Sequence, residues 1–270
     1  MIGILELKTK KERQEIITMI TAYDYYAAKL VEKAGIDIIL VGDSLGMVIK
    51  GNKNTLGVSI EDIVYHTKAV RKGAGDTFII ADLPYMSFHV NIEETKKNSA
   101  KLIVEGGADA VKLEGGSPSR IDMIKGIVDC EIPAVGHLGL TPQSIHKFGG
   151  YKVQAKQEKE AERLIKQAIE IEKAGAFMLV LEAIPEKLAK QVTDELKIIT
   201  IGIGAGRYTD GQVLVYNDLF GLSDYQPKFA KQYIDLADII TKNLMKYAQD
   251  VRDKKFPEKE HIYYPLTDTE

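Results

Sequence analysis

The feature that most constrains this chain is an alternation, kept up from end to end, of short β-branched apolar runs and amphipathic helical segments. Eight runs read as strands: 16–22, 36–42, 77–82, 108–114, 132–137, 176–182, 198–204 and 212–215. They are short and nearly continuous in apolar residues, as parallel strands covered by helices need to be. The helices carry their own punctuation. Ala27, Leu30, Val31 and Ala34 share a face before Gly35. Ser59 with Asp62, and Asn91 with Glu94, stand as capping pairs, and Ser117-Pro118 reads as N-cap and first helical residue. Ala161, Leu164, Ile165, Ala168 and Ile171 form a long face closed by Gly175, and Ile184, Leu188, Val192 and Leu196 follow four apart. A last helix is expected to carry Phe229, Tyr233, Leu236, Ile240 and Leu244 on one side, with a charged tail from about residue 252. Strand–helix alternation without a linker predicts an α/β fold, a single (βα)8 TIM barrel over 1–270, in preference to a doubly wound sheet.

Composition narrows the function. A net charge of −3 gives no attraction for a nucleic-acid backbone or an anionic membrane. No run approaches the roughly 20 apolar residues that span a bilayer. Residues 1–14 lack the apolar core of a signal peptide, so a cytoplasmic location is expected. The single cysteine, Cys130, excludes an internal disulfide and is expected to be a small core residue.

In barrels of this kind the chemistry sits at the C-terminal ends of the strands. There the sequence places Asp43 after the second strand, Asp82 at the end of the third, Lys112 and Glu114 in the fourth, His137 in the fifth and Glu182 in the sixth. Parity sharpens the pattern. Lys112 and Glu114 share the inner face while Val111 and Leu113 face the helices; Met178, Val180 and Glu182 point in while Phe177, Leu179 and Leu181 point out. Charges inside a barrel are costly unless paired or metal-bound, so several at one rim point to a site. Asp43, Asp82 and Glu114 offer hard oxygen donors suited to Mg2+, and no Cys/His spacing suits zinc. Each residue also has a structural reading: Asp43 as a helix N-cap, Asp82 as a turn residue, Lys112 and Glu114 as an ion pair, His137 as a hydrogen-bonded core histidine, Glu182 as a cap for the helix near Pro185. The Gly202-Ile203-Gly204-Ala205-Gly206 run after the seventh strand is either a phosphate loop or a tight turn that lets backbone approach a flat group. Residues 138–154 are long for a βα loop and are expected to form a lid or a subunit contact.

Several segments together resemble the ketopantoate hydroxymethyltransferase family. They include Val41-Gly42-Asp43-Ser44-Leu45-Gly46-Met47, Ala81-Asp82-Leu83-Pro84 and Val111-Lys112-Leu113-Glu114-Gly115-Gly116. Gly136-His137-Leu138-Gly139-Leu140-Thr141-Pro142-Gln143-Ser144 and Phe148-Gly149-Gly150-Tyr151-Lys152-Val153-Gln154 belong with them. The likeness runs from about Thr18 to about His261, in the family's order. It implies a barrel of the phosphoenolpyruvate/pyruvate type that transfers a hydroxymethyl group from 5,10-methylenetetrahydrofolate to 3-methyl-2-oxobutanoate through a Mg2+-stabilised enolate. It implies metal ligation by Asp43 and Asp82 with Glu114 close by, a 2-oxo acid held by Asp43, Ser44, Asp82, Lys112 and His137, and Glu182 as general base. It also implies a homo-oligomer, usually a decamer. Gly57 stands where the family favours proline, and Asn217 where histidine is common. Two other readings remain: a metal-dependent 2-oxo acid carbon–carbon lyase on the same barrel, and a non-catalytic barrel serving as a binding or assembly module.

Overall fold

In a computed structural model, which describes residues 3–265, eight parallel strands close into a barrel in sequence order. The elements are α1 (Ile4–Glu12), β1 (Ile17–Thr21), α2 (Tyr25–Lys33), β2 (Ile38–Val41), α3 (Leu45–Val48), α4 (Ile60–Gly73), β3 (Phe78–Asp82), α5 (Ile92–Val104), β4 (Ala110–Glu114), α6 (Pro118–Asp129), β5 (Ala134–Gly139), α7 (Ile145–Phe148), α8 (Glu158–Lys173), β6 (Met178–Glu182), α9 (Glu186–Glu195), β7 (Ile199–Ile203), β8 (Gly211–Leu214), α10 (Tyr216–Leu219) and α11 (Leu236–Arg252). The expected caps form. Ser59 and Asp62 make a reciprocal capping box on α4, Asn91 accepts from Glu94 N on α5, and Pro118 opens α6.

Strand parity sorts the core into two layers. Val111, Leu113, Leu179 and Leu181 pack with the helices, whereas Met178, Val180, Ile38, Ile80, Ile199 and Ile201 fill the barrel interior. Phe177 departs from this parity. It precedes β6, and its ring joins the interior cluster, edge-on to Phe78 with centroids 6.1 Å apart.

Three further expectations are corrected. No helix lies between β7 and β8, because residues 204–210 carry the chain from one rim to the other. The last helix begins at Leu236, capped by Asp235, so Phe229 and Tyr233 lie outside it. None of its residues is buried; Ile239, Ile240, Leu244, Met245, Tyr247 and Val251 are all exposed. Cys130 is exposed at the end of α6. Past Arg252 the tail turns back on α11, with the Phe256 ring 5.7 Å from Tyr247 and 5.2 Å from His261. Residues 266–270 of that tail lie outside the described residues.

At the N-terminal rim, aspartates do structural work. Asp37 Oδ2 accepts from Thr18 N at 2.9 Å, Asp109 Oδ2 from Ile79 N at 2.8 Å and Asp210 Oδ2 from Thr200 N at 2.7 Å. Each acid stands just before one strand and satisfies the first amides of the strand before it. Lys10 and Lys11 of α1 pair with Asp37 and Asp210, and Leu7 is fully buried beside Ile17, so α1 plugs this end of the barrel. Replacing Asp37 by alanine strands the Thr18 amide and the Lys10 ammonium. It is expected to lower stability by on the order of 2 kcal/mol, read as a fall in urea midpoint at unchanged slope.

Candidate active site

The opposite rim gathers the other ionisable groups. Register places Asp82 beside Lys112 on β3 and β4, Glu114 beside His137 on β4 and β5, and Glu182 beside Gly139 on β6 and β5. Lys112 Nζ lies 3.0 Å from Asp82 Oδ1, and His137 Nδ1 lies 3.6 Å from Glu114 Oε1. The other imidazole nitrogen, Nε2, lies 3.2 Å from Glu182 Oε2. The Asp43 amide donates to Asp82 Oδ2 at 3.1 Å, which ties the tips of β2 and β3 together. Gly42 makes this possible: a Cβ there would lie 2.9 Å from Ser44 Oγ and 3.3 Å from Asp82 Oδ2. Gly139 serves β5 in the same way, because a Cβ at its φ of 97° would run into Glu182 O at 2.1 Å.

Two of the purely structural readings fall away. Asp43 does not cap α3, whose N-cap is Ser44, and Glu182 does not cap α9, whose N-cap is Pro185. The glycine run acts as a tight turn: Gly204 is covered by the ring of Phe229, and no helix follows that could offer its N-terminus to a phosphate. The segment after β5 forms a wall of the cavity, where Tyr151, Lys152 and Val153 line the space above the carboxylates. It is pinned by Gln154 N donating to Ala183 O at 2.9 Å.

Electrostatics follow from burial. Asp43, Asp82, Lys112, Glu114 and His137 are each at most 5% exposed. Burial, then the charges of Glu114 and Asp82, raise the Asp43 carboxyl well above the usual carboxylate range, against the pull of Lys112 and Gln143. Burial raises Asp82 too, with Lys112 opposing. For Lys112, burial is outweighed by Asp82, Glu114 and Asp43, and its ammonium is held more firmly than in water. Burial and Lys112 depress His137, yet Glu114 and Glu182 prevail and lift it to about 9. Four carboxyl groups, Asp43, Asp82, Glu114 and Glu182, therefore crowd round only two cationic side chains, Lys112 and His137.

That excess fits a divalent ion, and Glu114 Oε1 is fully buried without a hydrogen-bond partner. Among the described residues no group of three His, Cys, Asp or Glu side chains is arranged to hold a metal ion by itself. Mg2+ binds through one or two carboxylates and completes its octahedron with water and substrate oxygens.

Sequence reasoning missed two residues here. Gln143 Nε2 donates to Asp43 Oδ2 at 2.8 Å and to Leu83 O at 3.0 Å, while its backbone N donates to Glu114 Oε2 at 3.0 Å. Tyr23 Oη sits 2.8 Å from Ser44 Oγ, and burial holds the phenol neutral.

The ketopantoate hydroxymethyltransferase model matches residues 2–259. The chain belongs to the ketopantoate hydroxymethyltransferase family. It is similar to the family's 3-methyl-2-oxobutanoate hydroxymethyltransferase from Clostridium beijerinckii (strain ATCC 51743 / NCIMB 8052), with 51% identity over 96% of this chain and 94% of the relative. The Bacillus subtilis (strain 168) enzyme of the same name is 51% identical over the same shares. Among solved structures, the family's barrel is similar to phosphoenolpyruvate phosphomutase from Streptomyces platensis subsp. rosaceus, with a TM-score of 0.63 and 14% identity over 98% of this chain and 93% of that one. Phosphonopyruvate hydrolase, in a complex with oxalate and Mg2+, gives 0.62 at 12% identity over 97% and 93%. These two likenesses carry the fold alone, the (βα)8 barrel expected from the sequence.

In the protein without added divalent ion, the His137 resonances should titrate near pH 9 by NMR. The imidazole is raised above its ordinary 6.5. Its contribution to stability is therefore complete below about pH 6.5 and lost as pH climbs through about 9. Titration at or below 6.5 would show that the contacts with Glu114 and Glu182 are not made.

Proposed function

We propose that this chain is a 3-methyl-2-oxobutanoate hydroxymethyltransferase, making 2-dehydropantoate with 5,10-methylenetetrahydrofolate as co-substrate. The observation that carries the reading is the cluster of carboxyl groups gathered round Lys112, with more acids than cationic partners, in the floor of a cavity of about 620 Å3. Asp43 and Asp82 would hold Mg2+, with Glu114 as the third carboxylate. The phosphonopyruvate hydrolase with Mg2+ and oxalate, a small dicarboxylate, offers a parallel on the same barrel. When bound, the ion supplies a Lewis acid for negative charge developing on the 2-oxo oxygen.

The chain's own groups do the remaining work. Lys112 offers a fixed positive charge to the acid, and Ser44, oriented by Tyr23, offers a hydroxyl. Glu182 takes the proton from C3 to give the enolate. His137, 3.2 Å away, holds that carboxylate in place and lends the substrate a second cationic edge. Both bonds from the one-carbon unit to folate nitrogens break: the enolate carbon replaces one nitrogen and a water oxygen replaces the other. The C3 proton and one proton of that water end on the two nitrogens, and tetrahydrofolate leaves.

The protein is read as a cytoplasmic homo-oligomer, a decamer as in the family. The exposed apolar residues of α11 support self-association, since an unpartnered stripe of that size is costly in water. Among the described residues no helix is long and apolar enough to cross a membrane.

Mg2+-dependent exchange of the C3 proton of 3-methyl-2-oxobutanoate in D2O is expected without any folate. Glu182→Gln should slow it about a hundredfold or more; exchange at the parent rate would assign the base elsewhere. Asp82→Ala should weaken Mg2+ and oxo-acid binding together, measured calorimetrically, and an unchanged Mg2+ affinity would remove Asp82 from the ligand set. Product that forms equally well with and without methylenetetrahydrofolate would favour the lyase.

A further inference from the structure

The cavity holds one more acid that the metal and base chemistry leaves unused. Asp218 lies on α10, just past β8, and is 7% exposed. Its Oδ1 accepts from Ser223 Oγ at 2.6 Å. Among the described residues no second hydrogen-bond donor reaches the carboxylate, which lines the cavity. Burial pushes the Asp218 carboxyl up, and the Ser223 hydroxyl alone pulls it down. With Ser223 as its single side-chain partner, the carboxylate presents its remaining acceptor capacity to the cavity, where water or a ligand supplies the donors.

Its surroundings define that occupant. α10 is fixed to the tip of β1 by Tyr216 N donating to Thr21 Oγ1 at 2.9 Å, so β1 stands between Asp218 and the carboxylates on β2 to β4. Leu222, Pro227 and Phe229 form an apolar wall beside it, with the Phe229 ring lying against Gly204. A small anionic oxo acid is repelled by Asp218 and drawn to Lys112, on the far side of β1. What suits Asp218 is a flat body with adjacent N–H donors along one edge, because a carboxylate accepts two parallel N–H bonds most strongly. Exposed Lys152 and Lys228 at the cavity mouth suit an anionic tail that points outward.

We propose that Asp218, oriented by Ser223, is the recognition site for the pterin of the folate co-substrate, accepting from the ring N3–H and the 2-amino group. This rests on the folate-dependent reading of the site. It assigns the pterin end of the co-substrate to the β8–α10 side of the cavity and the glutamate tail to the lysines at the mouth.

The test is equilibrium binding of tetrahydrofolate to the full chain with Mg2+, in parallel with 2-desamino-2-methyl-tetrahydrofolate, which lacks the amino donor. The parent should prefer tetrahydrofolate. Asp218→Asn should weaken tetrahydrofolate about tenfold or more and change the analogue far less, which erases the preference. Asp218→Asn that binds tetrahydrofolate as tightly as the parent, or that loses both ligands equally, overturns the assignment. If that variant fails to give the parent's near-ultraviolet circular dichroism, Ser223→Ala replaces it. A several-fold loss confined to tetrahydrofolate supports the site, and an equal loss of both ligands or no loss overturns it. Failure of the parent itself to bind tetrahydrofolate would sink the folate-dependent reading, and this site with it. Failure in the variants alone touches only the site.

Discussion

The active rim depends on the pairing of Asp82 with Lys112, an ion pair 3.0 Å long with both side chains at most 5% exposed. Such a pair contributes little net stability, but losing either partner leaves an uncompensated buried charge that costs on the order of 3–5 kcal/mol. Lys112 is what allows three further carboxylates to share so small a volume. Its ammonium is held by Asp82, Glu114 and Asp43 together, and His137 then bridges outward from Glu114 to Glu182. Register across β3, β4, β5 and β6 fixes the whole series, so the site is a property of the sheet more than of its loops.

The two ends of the barrel use acids for opposite purposes. At the N-terminal rim, Asp37, Asp109 and Asp210 are spent on backbone amides and on Lys10, Arg71 and Lys11. At the C-terminal rim the carboxylates are stacked against one another with too few partners. The first arrangement stabilises the fold, and the second stores electrostatic strain that a divalent cation would relieve.

Much of this was legible in the sequence, because a strand's two-residue period fixes which side chains share a face. Lys112 with Glu114, and Met178 with Val180 and Glu182, could be placed inside without coordinates. Phe177 broke the rule because it stands before β6, where the pleat has not begun. The helix expected to hold Phe229 and Tyr233 starts only at Leu236, since Phe229 is used to cover Gly204 and the cap is supplied by Asp235, which accepts from Asp238 N. The missing helix between β7 and β8 could have been counted: seven residues, rich in Gly, leave no room for one. Gln143 left no such trace. Its partner Asp43 is 100 positions away in the chain, and an amide on a loop carries no periodicity to betray it.

Gln143 also ties together two regions that would otherwise be independent. Its side chain holds Asp43, its backbone holds Glu114, and the chain runs on from it into the wall bearing Tyr151 and Val153. The setting of these carboxylates and the shape of the upper cavity are thereby thermodynamically linked. Whatever free energy a ligand of the carboxylates gains from a settled wall, a ligand leaning on that wall gains in equal measure from the first. Cooperation between the floor of the cavity and its wall can thus be written into one glutamine, without any moving domain.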